Sequence, residues 1–131
     1  MNHSLTYIIH VDDDNEDVEL FKETVELLDP DISIKAFAEA DVALNFIEQP
    51  ELKVKPSLFV LDINMPRIDG KSLLRSIRKQ PSLCHTPVVF FTTSSSHFDR
   101  DFALSNDVTF IQKPSSYSEL KQAVNRILEF V

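Results

Sequence analysis

Five short apolar runs alternate with segments of helical period along this chain, and that alternation constrains the fold more than any other feature. The runs read as strands at Thr6–Val11, Ile32–Phe37, Ser57–Asp62, Pro87–Thr92 and Val108–Gln112. Several are nearly continuous in Val, Ile, Leu and Phe, as strands buried on both faces must be. Strands that alternate with helices predict an α/β fold, a parallel sheet covered by helices on both sides.

The intervening segments carry helix punctuation. The first helix follows the capping pair Asp14-Asn15 and places Val18, Phe21, Val25 and Leu28 on one stripe. The second runs from about Glu39 to Gln49 with Ala40, Ala43, Leu44 and Ile47 inward, and Pro50 stops it. A third, about Lys71 to Lys79, turns Leu74 and Ile77 inward, and a fourth, roughly Ser96 to Leu104, is marked by Phe98, Phe102 and Ala103. The fifth opens on the capping box Ser116-x-x-Glu119, with Leu120, Val124, Ile127 and Val131 on its stripe.

At 131 residues the chain matches one domain, and the reading assigns 1–131 to that domain with no output domain. No apolar run approaches the roughly 20 residues of a membrane span, and the first residues lack a secretory signal, which predicts a cytoplasmic protein. A net charge of −8 repels nucleic-acid phosphate and anionic lipid, so no nucleic-acid or membrane partner is expected. The lone Cys84 has no intramolecular disulfide partner, and His3, His10, His85 and His97 lack zinc-site spacing; structural or surface roles are expected of all.

In a parallel α/β sheet, ligands bind at the carboxyl ends of the strands. Strand 1 runs into Asp12-Asp13-Asp14, strand 3 ends in Asp62, strand 4 in Thr92-Thr93 and strand 5 in Lys113-Pro114. Two carboxylates about 4 Å apart repel by roughly 4 kcal/mol at an effective dielectric of 20, so a cation is required there. All-oxygen ligands suit Mg²⁺, with Mn²⁺ as a substitute, and the expected shell is Asp12, Asp13, Asp62 and the backbone carbonyl of Asn64. A carboxylate is also a competent nucleophile toward phosphorus, which makes Asp62 the candidate phosphoacceptor. Lys113 and the Thr92 hydroxyl are placed to hold phosphoryl oxygens, because such transfer depends mostly on positioning and neutralisation of charge. Proline after Lys113 leaves open a cis peptide that aims the amine.

The strings Ile9-His10-Val11-Asp12-Asp13-Asp14, Leu61-Asp62-Ile63-Asn64-Met65-Pro66 with Asp69-Gly70, Val88-Val89-Phe90-Phe91-Thr92-Thr93, and Phe110-Ile111-Gln112-Lys113-Pro114 resemble the four signatures of response-regulator receivers. The resemblance covers essentially the whole chain. It implies a flavodoxin-like, doubly wound sheet of strand order 2-1-3-4-5 with five helices. It further implies phosphotransfer from a sensor histidine kinase or a histidine phosphotransfer protein, and a signalling domain rather than an enzyme with an external substrate. Thr92 and Phe110 then form the switch, which alters the face of helix 4, strand 5 and helix 5 toward a downstream protein. A strand-end Asp nucleophile also occurs in phosphohydrolases, but those use a second Asp two residues on, where this chain has Asn64. The turn before strand 5 is Ser105-Asn106-Asp107 instead of the usual small residues, with Asn106 expected to tolerate a left-handed backbone. With Gly70 the only glycine, the other loops are expected to avoid positive φ.

Overall fold

The computed structural model describes residues 6–49 and 54–131. Five strands and five helices alternate strictly: β1 Tyr7–Val11, α1 Asn15–Leu28, β2 Ser33–Phe37, α2 Ala40–Ile47, β3 Leu58–Leu61, α3 Gly70–Lys79, β4 Val88–Thr92, α4 His97–Ser105, β5 Thr109–Gln112 and α5 Tyr117–Leu128. All four pairings are parallel and the sheet order is β2-β1-β3-β4-β5. This is the flavodoxin-like doubly wound sheet, in which the order reverses beside β1 and opens a crevice at the carboxyl edge.

The strand period of two divides the apolar residues between two cores. Ile9, Val11, Phe59, Leu61 and Phe90 face one side and pack with Ala43 and Ile47 of α2, Leu73, Leu74 and Ile77 of α3, and Ala103 of α4. Ile8, Val60, Val89 and Phe91 face the other and pack with Phe21 and Val25 of α1 and Val124 and Ile127 of α5. The central strands β3 and β4 are buried at every position, as their uninterrupted apolar sequences require, whereas β2 lies at the edge with Ser33, Lys35 and Ala36 exposed.

Among the described residues, four of the five helix starts carry a side-chain cap, and α2, which follows Glu39, does not. The Asp14 carboxylate accepts from the N–H groups of Glu16 and Asp17, the Asp69 carboxylate from that of Ser72, and the Ser116 hydroxyl from that of Glu119. Pro50 and His3 lie outside the described residues; α2 ends at Ile47, with Glu48 as its cap.

Four expectations are corrected. Phe98 is not inward: its side chain is 82% exposed, and the inward positions of α4 are Asp99 and Ala103, with Phe102 half-buried against Phe90. The reason is polar, since Asp99 is drawn inward by Lys71 and Ser94. Val131 lies beyond the end of α5 and is 43% exposed. The left-handed residue of the turn before β5 is Asp107 (φ 57°), not Asn106, and Arg67 (φ 66°) is a second non-glycine residue at positive φ. No cis peptide occurs among the described residues, so the Lys113–Pro114 bond is trans.

Candidate functional site

The backbone sets the site before any side chain does. The Asp62 N–H donates to the Val11 carbonyl (2.9 Å) and the Lys113 N–H to the Thr92 carbonyl (2.7 Å), so the ends of β1 and β3, and those of β4 and β5, finish level. Gly70 brings α3 hard against the end of β3, with its N–H on the Ile63 carbonyl at 2.9 Å. A Cβ there would lie 2.2 Å from the Asp62 carbonyl oxygen, so only glycine fits.

On that edge Asp12, Asp13 and Asp62 each present a carboxylate oxygen, all within 4.8 Å of one another. Asp12 is fully buried, Asp62 is 7% exposed, and Asp13 opens to solvent. The Lys113 ammonium lies 2.6 Å from Asp12 Oδ2, 2.7 Å from Asp17 Oδ2 and 3.6 Å from Asp62 Oδ2. Asp62 Oδ1 is buried and has no hydrogen-bond partner among the described residues. A buried carboxylate oxygen without a donor is costly, and a cation held by these three acids would relieve it. The donor set is all oxygen and anionic, so it fits a hard divalent ion such as Mg²⁺ or Mn²⁺.

The electrostatics reflect this crowding. Burial pushes the Asp12 carboxyl up to about 6, against the hydrogen bonds from Lys113 and the Asp14 N–H, and the charge of Asp62 adds to the rise. Burial acts to lower the Lys113 amine, but its bonds to Asp12 and Asp17 outweigh that and raise it, so it is a fixed cation at neutral pH. Beneath Asp12, His10 is buried against Phe21 with ring centroids 4.5 Å apart, and neither nitrogen has a hydrogen-bond partner among the described residues. Burial, aided by Lys113, lowers its imidazole to about 3. Its 3.8 Å approach to Asp12 is therefore that of a neutral ring and not an ion pair.

Thr92 is fully buried at the end of β4, and its Oγ1 accepts the Ser94 N–H at 3.2 Å. Asn64 is exposed in the loop after β3. Phe110 is half-buried on β5 beneath the Arg100 guanidinium, 4.6 Å from the ring centroid. The structure thus gathers Asp12, Asp13, Asp62 and Lys113 into one pocket, while Phe110 sits apart on the β5 face.

Two features escaped the sequence reading. Asp17 reaches Lys113 from the first turn of α1; a helix that follows strand 1 overhangs this same edge, and that signal was available. The Lys71–Asp99 pair (2.6 Å), joined by Ser94, links the starts of α3 and α4. No local pattern announces it. Burial works to raise the Asp99 carboxyl, but the bonds from Lys71 and Ser94 prevail and hold it below the usual carboxylate value.

A doubly wound α/β sheet with three acids and a buried lysine at its carboxyl edge defines a site of the class that handles phosphoryl groups with a divalent ion. More narrowly, the chain belongs to the response regulator receiver domain family, whose model matches residues 8–125. It is 32% identical over 126 residues to the probable methanogenesis regulatory protein FilR2 of Methanothrix harundinacea, covering 94% of this chain and 81% of that protein. It is 29% identical over 129 residues to response regulator Rcp1 of Synechocystis, covering 94% of this chain and 86% of that one. Among solved structures it resembles the Mn²⁺-bound form of Rcp1 (TM-score 0.85, 28% identity, 95% and 93% coverage). It likewise resembles the phosphorylated cyanobacterial phytochrome response regulator RcpA (TM-score 0.82, 28% identity, 95% and 92% coverage). Receivers act in two-component phosphorelay signalling and bind a divalent metal. Among the described residues no helix is long and apolar enough to cross a membrane.

Proposed function

We propose that Asp62 accepts a phosphoryl group from the phosphohistidine of a sensor kinase or histidine phosphotransfer protein. The observation that carries this reading is the Lys113 ammonium 3.6 Å from Asp62, inside a pocket of three carboxylates. In the transfer an Asp62 oxygen forms the new O–P bond as the N–P bond breaks; the bond pair stays on the donor imidazole, which then takes a proton from solvent. Lys113 neutralises a phosphoryl oxygen, and the Thr92 hydroxyl, whose oxygen already accepts the Ser94 N–H, donates its own proton to another. Asp12, Asp13, Asp62 and the Asn64 carbonyl hold Mg²⁺, or Mn²⁺ in its place. The bound ion supplies positive charge against the phosphoryl oxygens.

The change is then transmitted through Thr92 and Phe110 to the face of α4, β5 and α5, where a downstream protein binds. Light anchoring of α4 supports this, since only Asp99 and Ala103 among its residues are buried. A histidine-kinase donor places the protein in the cytoplasm.

Incubation with Mg²⁺ and acetyl phosphate, read by intact mass, tests the reading. One phosphoryl group per chain is expected, lost without Mg²⁺ and lost in Asp62→Asn. Sustained multiple turnover of phosphate esters would instead indicate a phosphohydrolase.

A further inference from the structure

Lys113 has three N–H donors and spends two of them on Asp12 and Asp17 at 2.6 and 2.7 Å, while Asp62 at 3.6 Å lies beyond a hydrogen bond. The ammonium thus sits on the β1–α1 side of the pocket. Asp12 belongs to the acidic shell. Asp17 does not: it projects from the first turn of α1, its side chain is 32% exposed, and it lies outside the carboxylate cluster suited to a metal. Its one side-chain partner among the described residues is Lys113.

We infer that Asp17 is a positioning residue that acts through Lys113, holding the amine away from Asp62 in the unmodified chain and competing with the phosphoryl group for it. This rests on Asp62 being the phosphoacceptor. The third N–H of Lys113 is unspent but the ammonium stands 3.6 Å from Asp62, so shifting it toward a phosphoryl oxygen there strains the two bonds that hold it back, and the one to Asp17 is the more solvent-exposed of the two. The negative charge of Asp17 also opposes an anionic group arriving close by. Both effects make phosphoryl capture weaker than the rest of the pocket allows, so removing the charge should strengthen it.

The test is the affinity for beryllofluoride in the presence of Mg²⁺, measured by calorimetry and by fluorine NMR of the bound species, on the full chain and three variants. Asp17→Asn is expected to bind about fivefold more tightly, the scale of a partly exposed ion pair. Asp17→Glu, which keeps the charge, should stay nearer to wild type. Glu16→Gln makes the same charge change one residue away, where Glu16 has no side-chain ion pair among the described residues, and should shift binding little. A gain in affinity separates this role from a structural one, since a damaged fold does not bind more tightly. Unchanged or weaker binding in Asp17→Asn, or an equal gain in Glu16→Gln, overturns the inference and leaves the phosphoacceptor reading standing. A wild-type chain that does not respond to beryllofluoride overturns both.

Discussion

His10 shows how an apolar position can carry a polar group at a cost that depends on pH. Its folded-state pKa is about 3 against the ordinary 6.5, so below 6.5 the unfolded chain takes up a proton that the folded chain refuses. Stability from this residue is therefore present above 6.5 and lost as pH falls toward 3. Asp12 runs the other way, because its raised carboxyl takes up a proton in the folded state first, between about 6 and 3.8. Urea unfolding of wild type and His10→Leu at stepped pH separates the two. The stability of wild type relative to the variant should fall as pH drops below 6.5, the slope steepening toward that of one proton, at most about 1.4 kcal/mol per pH unit. A pH-independent difference would mean that His10 titrates when folded. The sequence marked Asp12, Asp13, Asp62 and Lys113 because strand ends in a parallel sheet converge. Which oxygen Lys113 holds depends on side-chain reach, and so the share taken by Asp17 was not legible.

At the scale of elements, α3 is positioned by a space constraint at its first residue as well as by the buried stripe of Leu73, Leu74 and Ile77. Gly70 begins the helix, and a methyl group there would meet the Asp62 carbonyl oxygen at 2.2 Å and the Ile63 Cα at 2.9 Å. Gly70→Ala should cost about 1–3 kcal/mol on overpacking grounds. Because the strain falls on the backbone of Asp62, it should also slow acetyl phosphate labelling when the folded population is matched. Normal labelling at reduced stability would show that α3 moves without disturbing the site. All ten elements were legible to within a few residues at each end, since period and caps are local signals. The facing of α4 was legible only in part: Ala103 and Phe102 turn inward as read, but the third inward position is the acid Asp99, paired with Lys71 from another helix, where a hydrophobic reading chooses Phe98.

For the molecule as a whole, a net charge of −8 and a buried acidic pocket predict that a divalent cation stabilises the fold beyond what ionic strength does. Ligand linkage puts the gain at about 2.7 kcal/mol when Mg²⁺ stands at about a hundred times its dissociation constant. Thermal unfolding in Mg²⁺ against Na⁺ of equal ionic strength should show the rise in wild type and its reduction in Asp13→Asn. Equal midpoints in the two salts would contradict a site on these acids. The sheet order and the pocket together rest the function on one carboxylate, and its modification can be mapped directly. Borohydride reduces an aspartyl phosphate to homoserine, so after labelling with acetyl phosphate and Mg²⁺, peptide mass spectrometry should find homoserine at position 62 alone. Homoserine at Asp12 or Asp13, or phosphate stable to borohydride on another residue, would contradict the account.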